Sequence, residues 1–248
     1  MPARTKAAGP VSEPFRAPGE NHATTRRHAA LLSDGYPRPL VRSVTVRYRR
    51  GVSTALKRPT YADIEALPEG VTGEILAGEL HVSPRPRAPH VHGASSLGVH
   101  LGGPFGFGIN GPGGWHIEIE PELSLDADPD FGPVVPDLAG WRESTLPVVP
   151  EDAQFTVVPD WVCEFLSPRT AATDRSLKMP YYARCGVAHA WLVDPELRTL
   201  EAYRLERGLW VWLGTWRDNA AVRVEPFDAV ALPLGALWKG RAPRAPAE

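Results

Sequence analysis

The chain predicts an α/β protein with a central strand covered on both faces, and three stretches carry that prediction. Residues 159–166, PDWVCEFL, are a mostly apolar run with Glu164 inside it; residues 173–185 have helical character; residues 188–195, AHAWLVDP, are a second apolar run. Side chains alternate along a strand, so Trp161, Cys163 and Phe165 face one way and Val162, Glu164 and Leu166 the other. Both faces are mostly apolar, as in an interior strand with a layer on each side.

Length and composition set the frame. With 248 residues, 43% apolar and 23% charged, the chain has material for one domain of good size. Residues 1–58 hold 12 of the 27 Lys and Arg but only 3 of the 29 Asp and Glu, which leaves an acidic body behind a basic head. That head lacks any sustained period, so it is expected to be a disordered leader, with one short helical turn around residues 28–35. Its charge adds nonspecific attraction to nucleic acid, while the acidic body argues against tight DNA binding through charge alone. The folded domain is expected over 59–238, with a frayed tail over 239–248. No apolar run approaches the ~18 residues of a membrane-spanning helix, and no secretory h-region is present; the expected location is the cytoplasm, without a membrane partner. Two cysteines, Cys163 and Cys185, make neither a disulfide framework nor a CxxC zinc pair.

The remaining elements follow in order. Thr60 and Asp63 cap a short helix that Pro68 and Gly70 end. GEILAGELHVSP reads as a β-hairpin turning at Ala77 and Gly78, with Glu74 at its mouth. From His90 a helix runs to Leu101, where Gly102 and Gly103 should stop it. In WHIEIE an alternating strand sets Trp115, Ile117 and Ile119 on one face. VVPDLAGW is a further strand, carrying Asp137. Pro180 should kink the 173–185 helix or shift its start. TLEAYRL and LWVWLGTW form an antiparallel hairpin about the turn ERG, and VRVEPFDAVALPLGALW packs its apolar residues onto the domain.

The chemistry gathers on two acids. An unpaired ionised carboxylate among apolar residues costs on the order of several kcal/mol, so Glu164 must be neutralised, paired or bound to a metal. Asp137 repeats the pattern on a second strand, and two strands with one acid each suggest a shared cation. The alternative is a pair of strand-end acids satisfied by backbone N–H groups. Lys178 is the only lysine between Lys57 and Lys239. It is read either as a functional group or as an exposed i, i+4 partner of Asp174. His90 and His92 are too few for a zinc site. Arg85, Arg87 and Arg169 sit on loops and are either phosphate contacts or simply solvated. Trp210 and Trp212 share one face of the last hairpin, a pattern that suits core packing, base stacking or a homodimer contact.

Asp137 in VVPDLAG, Glu164 in CEFLSPRT, Asp174 and Lys178 in DRSLKMPYYARCGV, and the strand HAWLVDPELRTLEAY together resemble the Uma2 endonuclease family, part of the wider PD-(D/E)XK nuclease superfamily. The resemblance covers about residues 59–238. It implies a restriction-endonuclease-like fold, a mixed central sheet flanked by helices with additional antiparallel hairpins. It further implies a Mg²⁺-dependent endonuclease, Mn²⁺ serving as a substitute, with DNA as the partner. Asp137 and Glu164 become metal ligands, Glu74 a third ligand or base, and Lys178 the catalytic lysine. His90 becomes a supporting or phosphate-facing group, and Arg85 and Arg169 substrate contacts. One feature departs from the superfamily: a lysine is expected two residues after the strand acid, and Leu166 stands there. Either Lys178 replaces it, or the protein is a nuclease-like module that binds nucleic acid or protein without cleaving.

Overall fold

The computed structural model describes residues 57–125 and 127–240. The expectations for residues 1–56 and for the tail beyond 240 lie outside these. Helix α1 (Tyr61–Glu65) opens the described chain. The Asp63 carboxylate accepts hydrogen bonds from the Thr60 N–H at 2.7 Å and the Thr60 hydroxyl at 2.8 Å, so the expected cap forms. Strands β1 (Val71–Leu76) and β2 (Glu79–Pro84) make the first hairpin. Its two-residue turn puts both Ala77 and Gly78 at positive φ, 52° and 74°, which suits the right-handed twist of the paired strands.

Helix α2 (Ala88–Leu101) follows, and Gly102 and Gly103 do not stop it. They begin a further π turn, Gly102–Gly106, because glycine without a capping left-handed φ simply continues the helical backbone. Then come β3 (Trp115–Ile119), the short β4 (Glu122–Leu123), β5 (Leu138–Arg142), the short β6 (Gln154–Phe155) and β7 (Trp161–Phe165). Helix α3 (Ala171–Thr173), a π turn (Asp174–Lys178) and helix α4 (Met179–Cys185) form one continuous helical segment. Pro180 directly follows the π turn, the irregularity expected where a proline interrupts a helix, and Gly186 ends the segment at φ 86°. Strands β8 (His189–Asp194), β9 (Thr199–Glu206) and β10 (Leu209–Arg217) complete the main sheet. The small pair β11 (Ala221–Val222) and β12 (Leu232–Pro233) precedes a 3₁₀ turn, Leu234–Trp238.

Six strands form the central sheet in the order β10-β9-β8-β7-β5-β3. Only β7 and β8 are parallel; the other neighbours are antiparallel, so the sheet is mixed. A helical crossover must join two parallel neighbours, and the 171–185 segment supplies it. Two apolar layers cover the sheet. Ala94 and Leu97 of α2 and the C-terminal Phe227, Leu234 and Trp238 pack with Trp161, Cys163 and Phe165 on one face. Leu76, Met179, Tyr181 and Tyr182 pack with Val162 and Leu166 on the other. The predicted alternation of β7 is thus realised in an α/β fold with a mixed central sheet.

Some local expectations change. β5 begins only at Leu138, so Asp137 is the residue just before the strand. On β3, Trp115 is buried but Ile119 is 54% exposed, because β3 is a sheet edge and its far end runs out from under the core. Trp210 and Trp212 do not share an environment. The Trp210 Nε1–H donates to the Met179 carbonyl at 2.8 Å, whereas Trp212 is 62% exposed beside a register shift between Trp212 and Gly214.

Candidate active site

Four separate parts of the fold deliver side chains to one cavity of about 610 Å³. Strand β7 supplies Glu164; the residue preceding β5 supplies Asp137; β1 supplies Glu74; the crossover helix supplies Asp174 and Lys178. The cavity also takes in His90 from the first turn of α2. That turn reaches β7 because α2 carries Gly93 at the contact: a Cβ there would stand 2.6 Å from Phe165 Cε1.

Lys178 is the hub. It is buried, and its Nζ lies 2.8 Å from Glu74 Oε1, 3.3 Å from Glu164 Oε1 and 3.5 Å from Glu164 Oε2. It also donates to the Val135 carbonyl at 2.8 Å. The reading of Lys178 as an exposed surface partner of Asp174 is therefore overturned. Nor is Glu74 a solvent-facing residue at the hairpin mouth, the alternative to its role as ligand or base. Glu74 sits inside β1, buried, and its Oε1 also accepts the Val135 N–H at 2.8 Å.

Asp137 is fixed from both sides. Its Oδ2 accepts the Phe165 N–H at 2.5 Å and its Oδ1 pairs with His90 Nε2 at 2.6 Å. The backbone bond ties Asp137 to the strand that carries Glu164. Glu164 Oε1 accepts the hydroxyl of Tyr182 at 2.6 Å, and both side chains are buried.

Electrostatically the site is short of positive charge. Burial pushes the Glu164 carboxyl well up; Lys178 opposes this, while Asp174 and Asp137 add to it. Burial raises Asp174 to about 6 against the pull of Lys178. Burial alone would weaken the Lys178 ammonium, but Glu164, Glu74 and Asp174 outweigh it and hold the proton more firmly than usual. For His90, burial is likewise outweighed by the hydrogen bond and charge of Asp137, and its pKa rises. Lys178 thus stays charged while burial makes Glu164 and Asp174 favour protons.

Sequence reasoning placed Asp137, Glu164, Lys178, Glu74 and His90 in the site, and they meet. Arg85, Arg87 and Arg169 line the same cavity as exposed side chains at its rim, and His92 is on the surface. Asp174 carries part of the family resemblance but has no role assigned from sequence, and Tyr182 is not singled out there. Their signal was the spacing: 174, 178 and 182 recur every four residues, so one helix stripe aims at Glu164. The π turn spans Asp174 to Lys178, a type of irregularity that often marks functional positions.

Among the described residues no group of three or more His, Cys, Asp or Glu forms a ready-made metal cage. None of their helices is long and apolar enough to cross a membrane.

Comparison with known proteins agrees with this architecture. A crystal structure described as a "putative nuclease" from Anabaena variabilis matches with a TM-score of 0.55 and 22% sequence identity, covering 73% of this chain and 97% of that one. The likeness establishes the fold. A search of the curated proteins finds no match. Residues 58–235 match the family Uma2, described as "Putative restriction endonuclease". That match spans the whole sheet and every acid of the cavity, and the chain belongs to the Uma2 family.

Proposed function

We propose that this protein is a Mg²⁺-dependent endonuclease that hydrolyses phosphodiester bonds of DNA, with Mn²⁺ able to substitute. The observation that carries this reading is Lys178, whose buried Nζ stands 3.3 Å from Glu164 while Leu166 occupies the usual lysine position. A lysine reaching the strand acid from the crossover helix supplies the charge that the strand lacks. This placement supports cleavage over the non-cleaving alternative.

The donor chemistry fits a hard cation. Carboxylate oxygens from Asp137, Glu164 and Glu74 face one cavity, and cysteine is absent from its lining. Mg²⁺ is commonly held by one or two carboxylates, with waters and substrate phosphate oxygens completing its shell, so a full protein cage is not required. Asp137 and Glu164 would hold the cation, with Glu74 as a third candidate. When bound, the cation supplies Lewis acidity and offsets phosphate charge.

The chain's own groups supply the rest. Lys178 donates to the phosphate oxygen on which negative charge grows, or orients the attacking water. His90 holds Asp137 through Oδ1, and the Phe165 N–H holds it through Oδ2, so the carboxylate plane is set before substrate arrives. Arg85 and Arg169 at the rim contact flanking phosphates, which position DNA without reading its sequence.

The test is cleavage of supercoiled plasmid with Mg²⁺, Mn²⁺ or EDTA, by wild type and by folded Asp137→Ala, Glu164→Ala and Lys178→Ala proteins. Metal-dependent nicking or linearisation that each substitution abolishes is the expected result. Equal activity, or equal inactivity, across the four proteins refutes the reading.

A further inference from the structure

We propose that Tyr182 is a positioning residue of this reaction: its buried hydroxyl pins one oxygen of Glu164 and leaves the other to face the cation. The inference rests on the endonuclease reading above and extends it to a residue outside the acid and lysine set.

Three observations carry it. First, the Tyr182 hydroxyl donates to Glu164 Oε1 at 2.6 Å, the shortest contact that carboxylate makes among the described residues. Second, the two oxygens of Glu164 are served unequally. Oε1 receives Tyr182 and lies 3.3 Å from Lys178 Nζ, whereas among the described residues Oε2 has Lys178 alone at 3.5 Å. The less engaged oxygen is the one free to ligate. Third, Tyr182 itself does not move easily. Its side chain is fully buried in the layer formed with Val162, Leu166 and Met179, and its ring lies 6.1 Å from that of Tyr181.

Chemistry separates the two donors on Glu164. An ammonium on a flexible stem partly cancels the carboxylate's charge and can turn toward a phosphate. A phenol is neutral and has two side-chain torsions, so it fixes the carboxylate plane while leaving its charge for the cation. Lys178 and Tyr182 are four residues apart and reach the same carboxylate from successive turns. A ligand already oriented does not lose rotamer freedom when it binds, which is how supporting hydrogen bonds raise metal affinity.

Tyr181 provides an internal control. It is equally buried on the same helix, and its hydroxyl donates to the Leu125 carbonyl at 3.0 Å. Tyr181→Phe therefore removes a buried hydroxyl bond without touching Glu164, and Tyr182→Phe removes one that does. Both substitutions keep the ring and its packing.

The experiment titrates Mn²⁺ calorimetrically into full-length wild type, Tyr182→Phe and Tyr181→Phe, with melting curves in EDTA and plasmid cleavage against Mn²⁺ concentration. Tyr182→Phe is expected to weaken Mn²⁺ binding about tenfold, in line with outer-shell substitutions. The Mn²⁺ concentration for half-maximal cleavage rises by the same factor, and KM for DNA stays within about twofold. Tyr181→Phe loses melting temperature but keeps wild-type Mn²⁺ affinity. Mn²⁺ affinities that agree within about twofold in the two variants overturn the inference and leave the nuclease reading standing. A wild type that neither binds Mn²⁺ nor cuts DNA overturns both.

Discussion

Lys178 and Glu74 form a buried ion pair of 2.8 Å between the crossover helix and the first hairpin. The same ammonium faces Glu164 at 3.3 Å, so one cation holds two carboxylates from different layers of the fold. Removing one partner of a buried pair leaves the other uncompensated, a loss of about 3–5 kcal/mol. Lys178→Met keeps the stem and discards the charge. Its unfolding free energy in EDTA, from urea titration, should fall by that amount, and added Mn²⁺ should restore more stability to the variant than to wild type. A variant as stable as wild type in EDTA contradicts this account of the hub.

Asp174 gives the site a pH signature in the absence of metal. Its carboxyl titrates near pH 6 in the folded protein, against a reference value of 3.8. Between these values the native state binds more protons than the unfolded state, so stability falls as pH rises from about 4 to about 6. Linkage bounds the loss at roughly 3 kcal/mol. Asp174→Asn should make that slope shallower in EDTA, leaving the part that the raised Glu164 carboxyl contributes. Urea midpoints measured at intervals from pH 4 to 7 check it, and parallel profiles for the two proteins count against it.

Gly93 controls how closely α2 approaches β7. A methyl group there meets Phe165 Cε1 at 2.6 Å and Leu237 O at 3.4 Å, and at least the ring must shift. Overpacking of this kind costs about 1–3 kcal/mol. His90 lies one turn away on the same helix, so Gly93→Ala should also loosen its 2.6 Å contact with Asp137. A lowered urea midpoint together with a changed His90 ring resonance in NMR spectra is the expected pair of results.

The rim arginines make a prediction about salt. Each phosphate contact contributes about 0.9 to the slope of log affinity against log salt on duplex DNA. Arg85→Ala and Arg169→Ala should each lower that slope by about one and weaken binding alike on unrelated sequences. Fluorescence anisotropy on two duplexes of different sequence, with Ca²⁺ in place of Mg²⁺, measures both effects. An unchanged slope shows that the side chain is merely solvated.

The sheet was legible because its signal is local. Alternation along β7 reads directly from Trp161, Val162, Cys163, Glu164 and Phe165, and each lands in the layer its parity assigns. Asp137 and Glu164 were legible for a related reason: an acid in an apolar run of sequence stands out, although Asp137 lies just ahead of its strand. Glu74 was harder. Its burial depends on how the first hairpin lies against Val135, a contact between segments distant in sequence. Gly102 and Gly103 misled because a glycine pair stops a helix only when its backbone turns left-handed, and here it does not. Tyr182 was hidden among aromatics, where composition alone says core packing. The structure shows it to be core along its ring and polar at its tip.

The distance in sequence between Glu74 and Lys178 also bears on how this protein comes into being. Chains emerge from the ribosome N-terminus first, and closing a contact between remote segments is a late and slow event. The hairpin carrying Glu74 is made early, but its ammonium partner arrives only after β7 has been synthesised. A nascent chain that lacks the crossover helix therefore has Glu74 without its ammonium partner. The Glu74–Lys178 pair forms only once the first hairpin and the crossover helix have both been made and docked.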